Sequence, residues 1–450
     1  MRILLPEKVR FVLDTLTAAG YTAYAVGGCV RDSILGRTPG DWDITTSALP
    51  KQIKSVFPKT IDTGLAHGTV TVREGGESFE VTTYRIDGEY HDNRHPDSVT
   101  FTDNITEDLA RRDFTINAMA YNEAAGLIDP FGGEADLKKG VIRCVGEPEK
   151  RFSEDALRML RAVRFAAQLG FHVLPETAKA MEQAKEGICS VSAERIRDEL
   201  SKTVLAEDCE QAFRILYGTG ILDLILPELA ELFRTSQNIK YHLYDVGTHT
   251  LLVTNHVPKT PALRFAALFH DLGKPEKRTV DEHFITHFKG HADVSLRLVE
   301  NILKRLKFDN KTADKIKRLV KYHDREIVLT KKAVKRAVLD VGEDIFLDLL
   351  DLKRGDCMGQ NPLHTSYRLA LYDEIEQIYR ECKADEEAFS LSDLALGGND
   401  LIALGYRGKA IGILLFRLLD RVLEFPEENE KEALLKILEK NQKSWLENIE

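Results

Sequence analysis

The stretch YAVGGCVRDSILGRTPGDWDITT, residues 24–46, decides how the N-terminal third folds. Tyr24-Ala25-Val26 reads as a buried strand that ends at Gly27-Gly28, and Cys29–Leu35 reads as a helix. A Gly-Gly turn feeding a helix lets backbone N–H groups approach an anion closely, and the helix N-terminus favours that charge. Arg31 and Asp32 fall in the first turn, where Arg31 can reach a phosphate. By itself Gly-Gly is more often only a turn. Further on, Gly40-Asp41-Trp42-Asp43-Ile44 reads as the start of a second strand. Alternate strand residues share a face, so Asp41 and Asp43 are expected to point the same way, roughly 6–7 Å apart. Like charges side by side are destabilising unless a cation neutralises them. Hard carboxylate oxygens suit Mg²⁺, which binds through one or two carboxylates plus substrate phosphates. A lone DxD is more often an exposed strand; following a GG-x-x-R-D turn, it points to a metal. Glu80, in FEVTT (79–83), offers either a third carboxylate or a cross-strand ion-pair partner.

Around this stretch, residues 1 to about 145 mix short strand-like runs (TAYAVGG, WDITT, GTVTVRE, FEVTTYR, RCVGE) with Gly-rich turns and short helices. From about 150 onward the periodicity is almost wholly helical, as in EDALRMLRAVRFAAQLGF and KEALLKILEK. The pattern predicts an α+β protein with a mixed-sheet head followed by an all-helical remainder. A chain of 450 residues exceeds one ordinary core, so two to four domains are expected. No apolar run approaches the ~20 residues of a membrane span. MRILLPEKVRFVLDTL, interrupted by Glu7 and Asp14, reads as a first helix and not as a signal peptide. The six cysteines form no CxxC pair, which suits reduced thiols in a cytoplasmic protein. A net charge of −10 lends no support to nucleic-acid binding, yet distribution matters more than the sum. Lys304 to Arg336 is rich in Lys and Arg, and reads equally as a solvated helix face or as a phosphate-tracking surface.

Two more segments carry chemistry. Arg111-Arg112-Asp113, taken alone, reads as a surface ion pair at a helix start. In SEDALRMLRAVRFA, Ser153 is a plausible N-cap, and Glu154, Asp155 and Arg158 share one helical face at i,i+3 and i,i+4 spacing. Arg158, Arg161 and Arg164 then form a basic stripe. Simple helix salt bridging is the ordinary meaning of such spacing.

GGCVRD (27–32), DWD (41–43), RRDFTINAMA (111–120) and EDALRMLRAVRFA (154–166) resemble the ordered motifs of the class II tRNA nucleotidyltransferases and their bacterial poly(A) polymerase relatives. The strong resemblance covers roughly residues 20–170. It implies a nucleotidyltransferase head (1–145), a helical neck that binds nucleotide and RNA (146–225), an HD-type helical domain (226–345) and a helical tail (346–450). It also implies that Asp41 and Asp43 hold two Mg²⁺ ions for attack of an RNA 3′-hydroxyl on an α-phosphate. Gly28, Arg31 and Arg112 match nucleotide contacts, with Gly27, Asp32, Arg111, Asp113 and Glu154 beside them. Asp155 and Arg158 match the positions that read the incoming base. A carboxylate accepts from the exocyclic amine of cytosine or adenine, and a guanidinium donates to the neighbouring ring atom; uracil and guanine present a carbonyl instead. Arg161 and Arg164 are expected to face phosphate or hold that pair in place. The implied activity is addition of CCA to tRNA from CTP and ATP, with poly(A) or A-only addition as alternatives. The polar segment DGEYHDNRHPDSV, between Arg85 and Phe101, favours the enzymes that add the final A.

In the helical half, His249, His270-Asp271 in LRFAALFHDLGK, His291 and His323 resemble the HD phosphohydrolase superfamily. The resemblance implies a second divalent metal and a phosphohydrolase acting on RNA ends, with repair of damaged tRNA ends as its setting. A wholly different function class, an HD hydrolase with a vestigial transferase head, is disfavoured by the intact GG-x-x-R-D, DxD and EDxxR strings.

Overall fold

The computed structural model describes residues 2–88, 98–238 and 242–446. The segment that bears on A addition therefore lies largely outside the described residues, at 89–97. Packing divides the chain into two compact units: Met1–Ala230 with Arg305–Lys307, and Glu231–Lys304 with Phe308–Glu450. The boundary expected at 225/226 falls close to this division, whereas that at 345/346 falls inside the helix Glu343–Met358.

In the first unit the strands are β1 (Ala23–Val26), β2 (Ile44–Thr46), β3 (Thr60–Gly64), β4 (Thr69–Glu74), β5 (Glu77–Thr83), β6 (Arg85–Asp87), β7 (Val99–Phe101), β8 (Ala120–Asn122) and β9 (Gly126–Ile128). Seven of them form one sheet in the order β3-β4-β5-β2-β1-β8-β9, and β6 pairs with β7 alone. The sheet is mixed, as expected: β2 runs parallel to β5, and the other neighbours are antiparallel. Cross-strand pairs of apolar residues lock its register, with Val70 opposite Val81 and Val72 opposite Phe79, all four buried. RCVGE is not a strand; Cys144 makes only an isolated bridge to Phe114.

The antiparallel pairing of β1 with both β2 and β8 positions the site. The end of β1, the start of β2 and the start of β8 lie at one edge of the sheet. Val26 N–H donates to the Asp43 carbonyl at 3.0 Å, and Gly27 N–H to that of Met119 at 3.1 Å. The Gly-Gly turn, the DWD segment and the loop after Arg112 therefore meet there.

Beyond the head come the helices Pro148–Glu154, Leu157–Leu169, Pro175–Ala184, Ala193–Val204 and Cys209–Gly218. Leu157–Leu169 is buried on most of its surface and packs against Ala193–Val204 and Cys209–Gly218. Gly170, at φ +70°, ends it in the left-handed conformation that favours glycine. The remainder is not all helical. Val141–Ile142 pairs in parallel with His172–Val173, and in the second unit Thr279–Val280 pairs with Thr286–His287.

The second unit is otherwise helical. Its apolar residues gather into an aromatic-rich cluster around Phe346, Tyr379 and Phe389 and a leucine-rich one from Leu394 to Leu438. The basic run here is largely consumed by ion pairs within the unit. Arg318 bridges to Asp314 and Asp344, Arg325 to Asp340, and Arg336 to Asp420. Lys335 is fully buried, its Nζ 2.5 Å from a Glu387 oxygen that is itself nearly enclosed. Breaking a buried ion pair by removing one partner leaves an uncompensated charge and costs about 3–5 kcal/mol. Glu387→Ala should therefore destabilise this unit by about that amount in urea unfolding, while the double change Lys335→Met with Glu387→Leu should cost far less. Equal losses in the two variants would show that packing, not charge, holds this junction.

Candidate functional site

Asp41, Trp42 and Asp43 lie just before β2, not within it. Their side chains therefore owe their positions to the sheet edge and not to strand alternation. The parallel register places Ile44 opposite Val81, which sets Asp43 beside Glu80. Asp43 is among the exposed residues, though protein crowds its carboxyl. That crowding, then the charge of Asp41, pushes its carboxyl up to about 6; Arg112 opposes the shift and Glu80 adds to it. Asp41 and Glu80 thus add to the cost of charging Asp43, a cost that a divalent cation relieves, so the residues present fit one.

The Gly-Gly turn faces this group. The helix runs Gly28–Ile34, one residue earlier than expected, and at seven residues its dipole is slight. Arg31 accordingly sits in its last turn. Gly27 has φ +84°, and a Cβ there would lie 2.9 Å from Arg112 Nη1, so this turn admits no side chain. Arg112 is the cation of the recess. It reaches Asp108 Oδ2 at only 3.7 Å, and its buried Nε has no hydrogen-bond partner among the described residues. Burial lowers its pKa and Asp108 works against that shift. Asp108, fully buried, also holds Arg111 at 2.8 Å and accepts from Thr45. Sequence reading passed over Asp108; its only signal is the 108/111/112 spacing.

A polar chain ties the turn to the neck. Arg31 donates to Asp32 at 2.8 Å and to Asn117 Oδ1 at 2.7 Å. Asn117 donates to Asp113 at 3.1 Å, and Asp113 pairs with Arg161 at 2.6 Å. Burial alone would raise Asp113, but the Arg161 guanidinium and the Asn117 amide bring it down to about 2. Arg111-Arg112-Asp113 is therefore not a surface ion pair. Asn117 lies inside the RRDFTINAMA string and carries no signal of its own.

The EDxxR segment differs from its expected form. Pro148–Glu154 ends at Asp155, and Leu157–Leu169 begins afresh, so Ser153 closes one helix and caps none. Asp155, in extended backbone at the junction, accepts from Leu157 N–H at 3.0 Å and pairs with Arg195 at 2.7 Å. Arg158 pairs with Glu154 at 2.5 Å and donates to the carbonyls of Arg151 and Arg111. Asp155 and Arg158 thus share no helical face; each has its own counter-ion. Arg195 is a participant that nothing in its local sequence marks. Arg164 does not face a phosphate: it is buried against Glu199 at 2.6 Å. The guanidiniums of Arg31, Arg161 and Arg164 all lie over the Phe165 ring, at 5.0, 5.4 and 4.1 Å.

In the second unit the structure gathers His249, His270, Asp271, His291 and His323, and adds Asp356 from Glu343–Met358. His270 and Asp271 lie at the C-terminal cap of Pro261–Phe269, not within the helix, which lets neighbouring residues aim at one point. Each histidine Nδ1 meets a main-chain carbonyl: His249 that of Gly359, His270 that of Ala267, His291 that of Phe288 and His323 that of Val320. Burial, with His270 and His291 beside it, lowers His323 to about 3, so its ring is neutral. For His270 burial acts in the same direction, but Asp271 beside it outweighs burial and raises its pKa; a ring anchored through Nδ1 presents Nε2 as a ligand when neutral. His242 stacks edge-on against His249 at 4.6 Å.

Comparison with known proteins places both halves. A poly(A) polymerase head domain matches residues 23–143, a model described as "Probable RNA and SrmB- binding site of polymerase A" matches 170–233, and tRNA nucleotidyltransferase domain 2 matches 278–438. The CCA-adding enzyme of Lactobacillus johnsonii is 53% identical over 210 residues, 47% of this chain and 53% of that protein. That of Levilactobacillus brevis is 45% identical over 262 residues, 57% of this chain and 66% of that protein. The match thus spans about half the length of the first of these relatives. A crystal structure of the Bacillus stearothermophilus CCA-adding enzyme in complex with CTP is 32% identical, with a TM-score of 0.74 over 98% of this chain and 99% of that one. No helix among the described residues is long and apolar enough to cross a membrane. With the sheet-edge carboxylates, the Gly-Gly turn and the EDxxR junction all in place, the chain belongs to the family of CCA-adding tRNA nucleotidyltransferases.

Proposed function

We propose that the first unit adds CCA to the 3′ end of tRNA from CTP and ATP, without a template and with release of pyrophosphate. The observation that carries this reading is the meeting of Asp41, Asp43 and Glu80 with Arg112 at one sheet edge. Asp41 and Asp43 would hold Mg²⁺, with Glu80 beside them. Bound there, the ions would supply Lewis-acid activation of the 3′-hydroxyl and charge neutralisation at the triphosphate. Arg112, with its Nε spare and its guanidinium against Gly27, is the group best placed to take a phosphate oxygen. Arg31, already held by Asp32 and Asn117, keeps the turn in shape beside it.

Base choice falls to Asp155 and Arg158. Their present partners, Arg195 and Glu154, keep both side chains ordered before a nucleotide arrives. A carboxylate oxygen that accepts from Arg195 retains a second lone pair for an exocyclic amine. Arg161 and Arg164 serve as supports, the first through Asp113 and the second through Glu199.

The primary test is incubation of tRNA ending at the discriminator base with Mg²⁺ and each NTP, singly and mixed, read at single-nucleotide resolution. CC from CTP alone and a stop at CCA with both nucleotides is the expected result; a long A ladder from ATP alone would replace it with poly(A) polymerase. Asp41→Ala and Asp43→Ala should each lower addition by about 10³-fold or more, since metal contacts supply several kcal/mol, with tRNA binding retained in a filter assay. Asp155→Asn turns an acceptor into a mixed donor and acceptor, worth about 1–3 kcal/mol. The preference for CTP over UTP should accordingly fall about 10–100-fold, and unchanged discrimination would remove Asp155 from base reading.

A second reading applies to the histidine cluster of the other unit, where buried Nε2 atoms converge on Asp271. We propose that this cluster is a metal-dependent phosphohydrolase centre acting on phosphate esters such as those at RNA ends. His270→Ala and Asp271→Ala should abolish Mn²⁺-dependent hydrolysis of bis-p-nitrophenyl phosphate and leave CCA addition intact, with Asp43→Ala doing the reverse. Loss of one and the same activity in both sets of variants would contradict this division of labour.

A further inference from the structure

Two adjacent arginines of the head, Arg111 and Arg112, meet the same buried carboxylate in different ways. Asp108 lies on the helix Ile105–Ala110 and is fully buried, with the arginines three and four residues further on. Arg111 brings two donors, Nε at 3.0 Å and Nη2 at 2.8 Å, to one and the same oxygen, Asp108 Oδ1. The main-chain N–H of Arg85 reaches that oxygen too, at 3.4 Å. The other oxygen, Oδ2, accepts from Thr45 Oγ1 at 3.2 Å. Arg112 comes no nearer to Oδ2 than 3.7 Å, which is outside hydrogen-bonding range.

At that distance the attraction of opposite charges persists, because it falls only with the inverse of separation, while the directional hydrogen bond is lost. Arg112 is thus steadied by charge and keeps its donors. Its Nε is buried without a partner among the described residues, and 19% of its side chain stays exposed, beside the Gly27 turn. Arg111, by contrast, has engaged the Nε–Nη2 edge of its fork on Asp108. A carboxylate with Oδ1 free would gain by turning onto Arg112 as a bidentate pair, the strong geometry for these two groups. Arg111 and Thr45 together hold it in its present setting.

We infer that Arg111 is a positioning residue for nucleotidyl transfer: it occupies Asp108, so that this carboxylate steadies Arg112 without capturing the donors that meet the triphosphate. This rests on the reading of Arg112 as the phosphate-binding cation. Loss of the Arg111 side chain then lowers nucleotide affinity although that side chain touches no nucleotide, and loss of the Asp108 charge restores it. The main-chain carbonyl of Arg111, which accepts from Arg158 at 3.3 Å, is untouched by a side-chain substitution. A role confined to folding predicts the opposite order, since each further partner removed from a buried charged group adds to the loss of stability.

The test is calorimetric titration of the full chain with CTP and Mg²⁺ in the absence of tRNA, so that nothing is transferred. Arg112→Met sets the scale for loss of the phosphate contact. Arg111→Met should weaken CTP binding about tenfold or more, the worth of a hydrogen bond to a charged group. Pyrophosphate binding should weaken to the same degree, while retention of tRNA on filters stays unchanged. Adding Asp108→Asn to Arg111→Met should bring CTP affinity back to within about threefold of the parent. Arg111→Lys, which keeps a donor on Asp108, should fall between parent and Arg111→Met. Should Arg111→Met fail to fold by circular dichroism, Arg111→Lys with and without Asp108→Asn carries the same comparison. A double variant no better than its Arg111 single variant, or an Arg111→Met chain that binds CTP like the parent, overturns the inference. Parent-like binding by Arg112→Met removes the phosphate reading and the inference with it. The expected order of affinities in a chain that adds no nucleotide to tRNA would uphold the inference and sink only the transferase reading.

Discussion

The site of the first unit depends on the pairing of β1 with strands on both of its sides. β1 is only four residues long, but it runs antiparallel to β2 and to β8. That arrangement brings together segments some seventy residues apart in sequence, for it sets the start of β2 and the approach to β8 against the end of β1. Without it, Asp43 and Arg112 would have no reason to be neighbours. The parallel addition of β5 then delivers Glu80. The carboxylate group is therefore a property of strand order more than of any local motif.

Arginine placement is the second theme of this unit. The stripe Arg158, Arg161 and Arg164 has a separate acid for each member: Glu154 from the preceding helix, Asp113 from the head and Glu199 from a later helix. These links are short and mostly enclosed, where a charge-assisted hydrogen bond is strong and a missing partner is costly. Their effect is to fasten one helix to its three neighbours in a single rotational setting. Arg112 stands apart from this pattern, since its contact with Asp108 is long and its Nε is unmatched. A guanidinium with an unspent donor beside three carboxylates is equipped to meet an anionic oxygen such as that of a phosphate.

Much of this is legible in the sequence, and the failures have physical causes. The Gly-Gly turn and the mixed sheet follow from turn chemistry and alternation, which are local, whereas Asp41 and Asp43 lie just before β2 and take their positions from the sheet edge. The EDxxR string misleads because its i,i+3 and i,i+4 spacing suits a continuous helix, whereas Asp155 adopts an extended conformation and breaks it. Arg195 could not be found from spacing, because its partner lies 40 residues away, and the link from Asn117 to Arg31 spans 86 residues although its other partner, Asp113, is close by. Asp356 escapes for the same reason; it joins His249 across more than one hundred residues. The basic run from Lys304 to Arg336 offers two meanings, and the acids that decide between them, Asp344, Glu387 and Asp420, lie outside it.

The histidine anchors bear on how such a centre persists. Each of the four rings is steadied by a carbonyl of the main chain, and for three of them that carbonyl lies three residues earlier in the same segment. No side chain is needed as the orienting group. The geometry of the cluster is therefore insensitive to what its neighbours become, provided the backbone keeps its course. A lineage can rewrite the surrounding apolar residues extensively and still inherit the same convergence of nitrogen atoms. Decay of such a centre should begin with the ligands themselves and not with their supports.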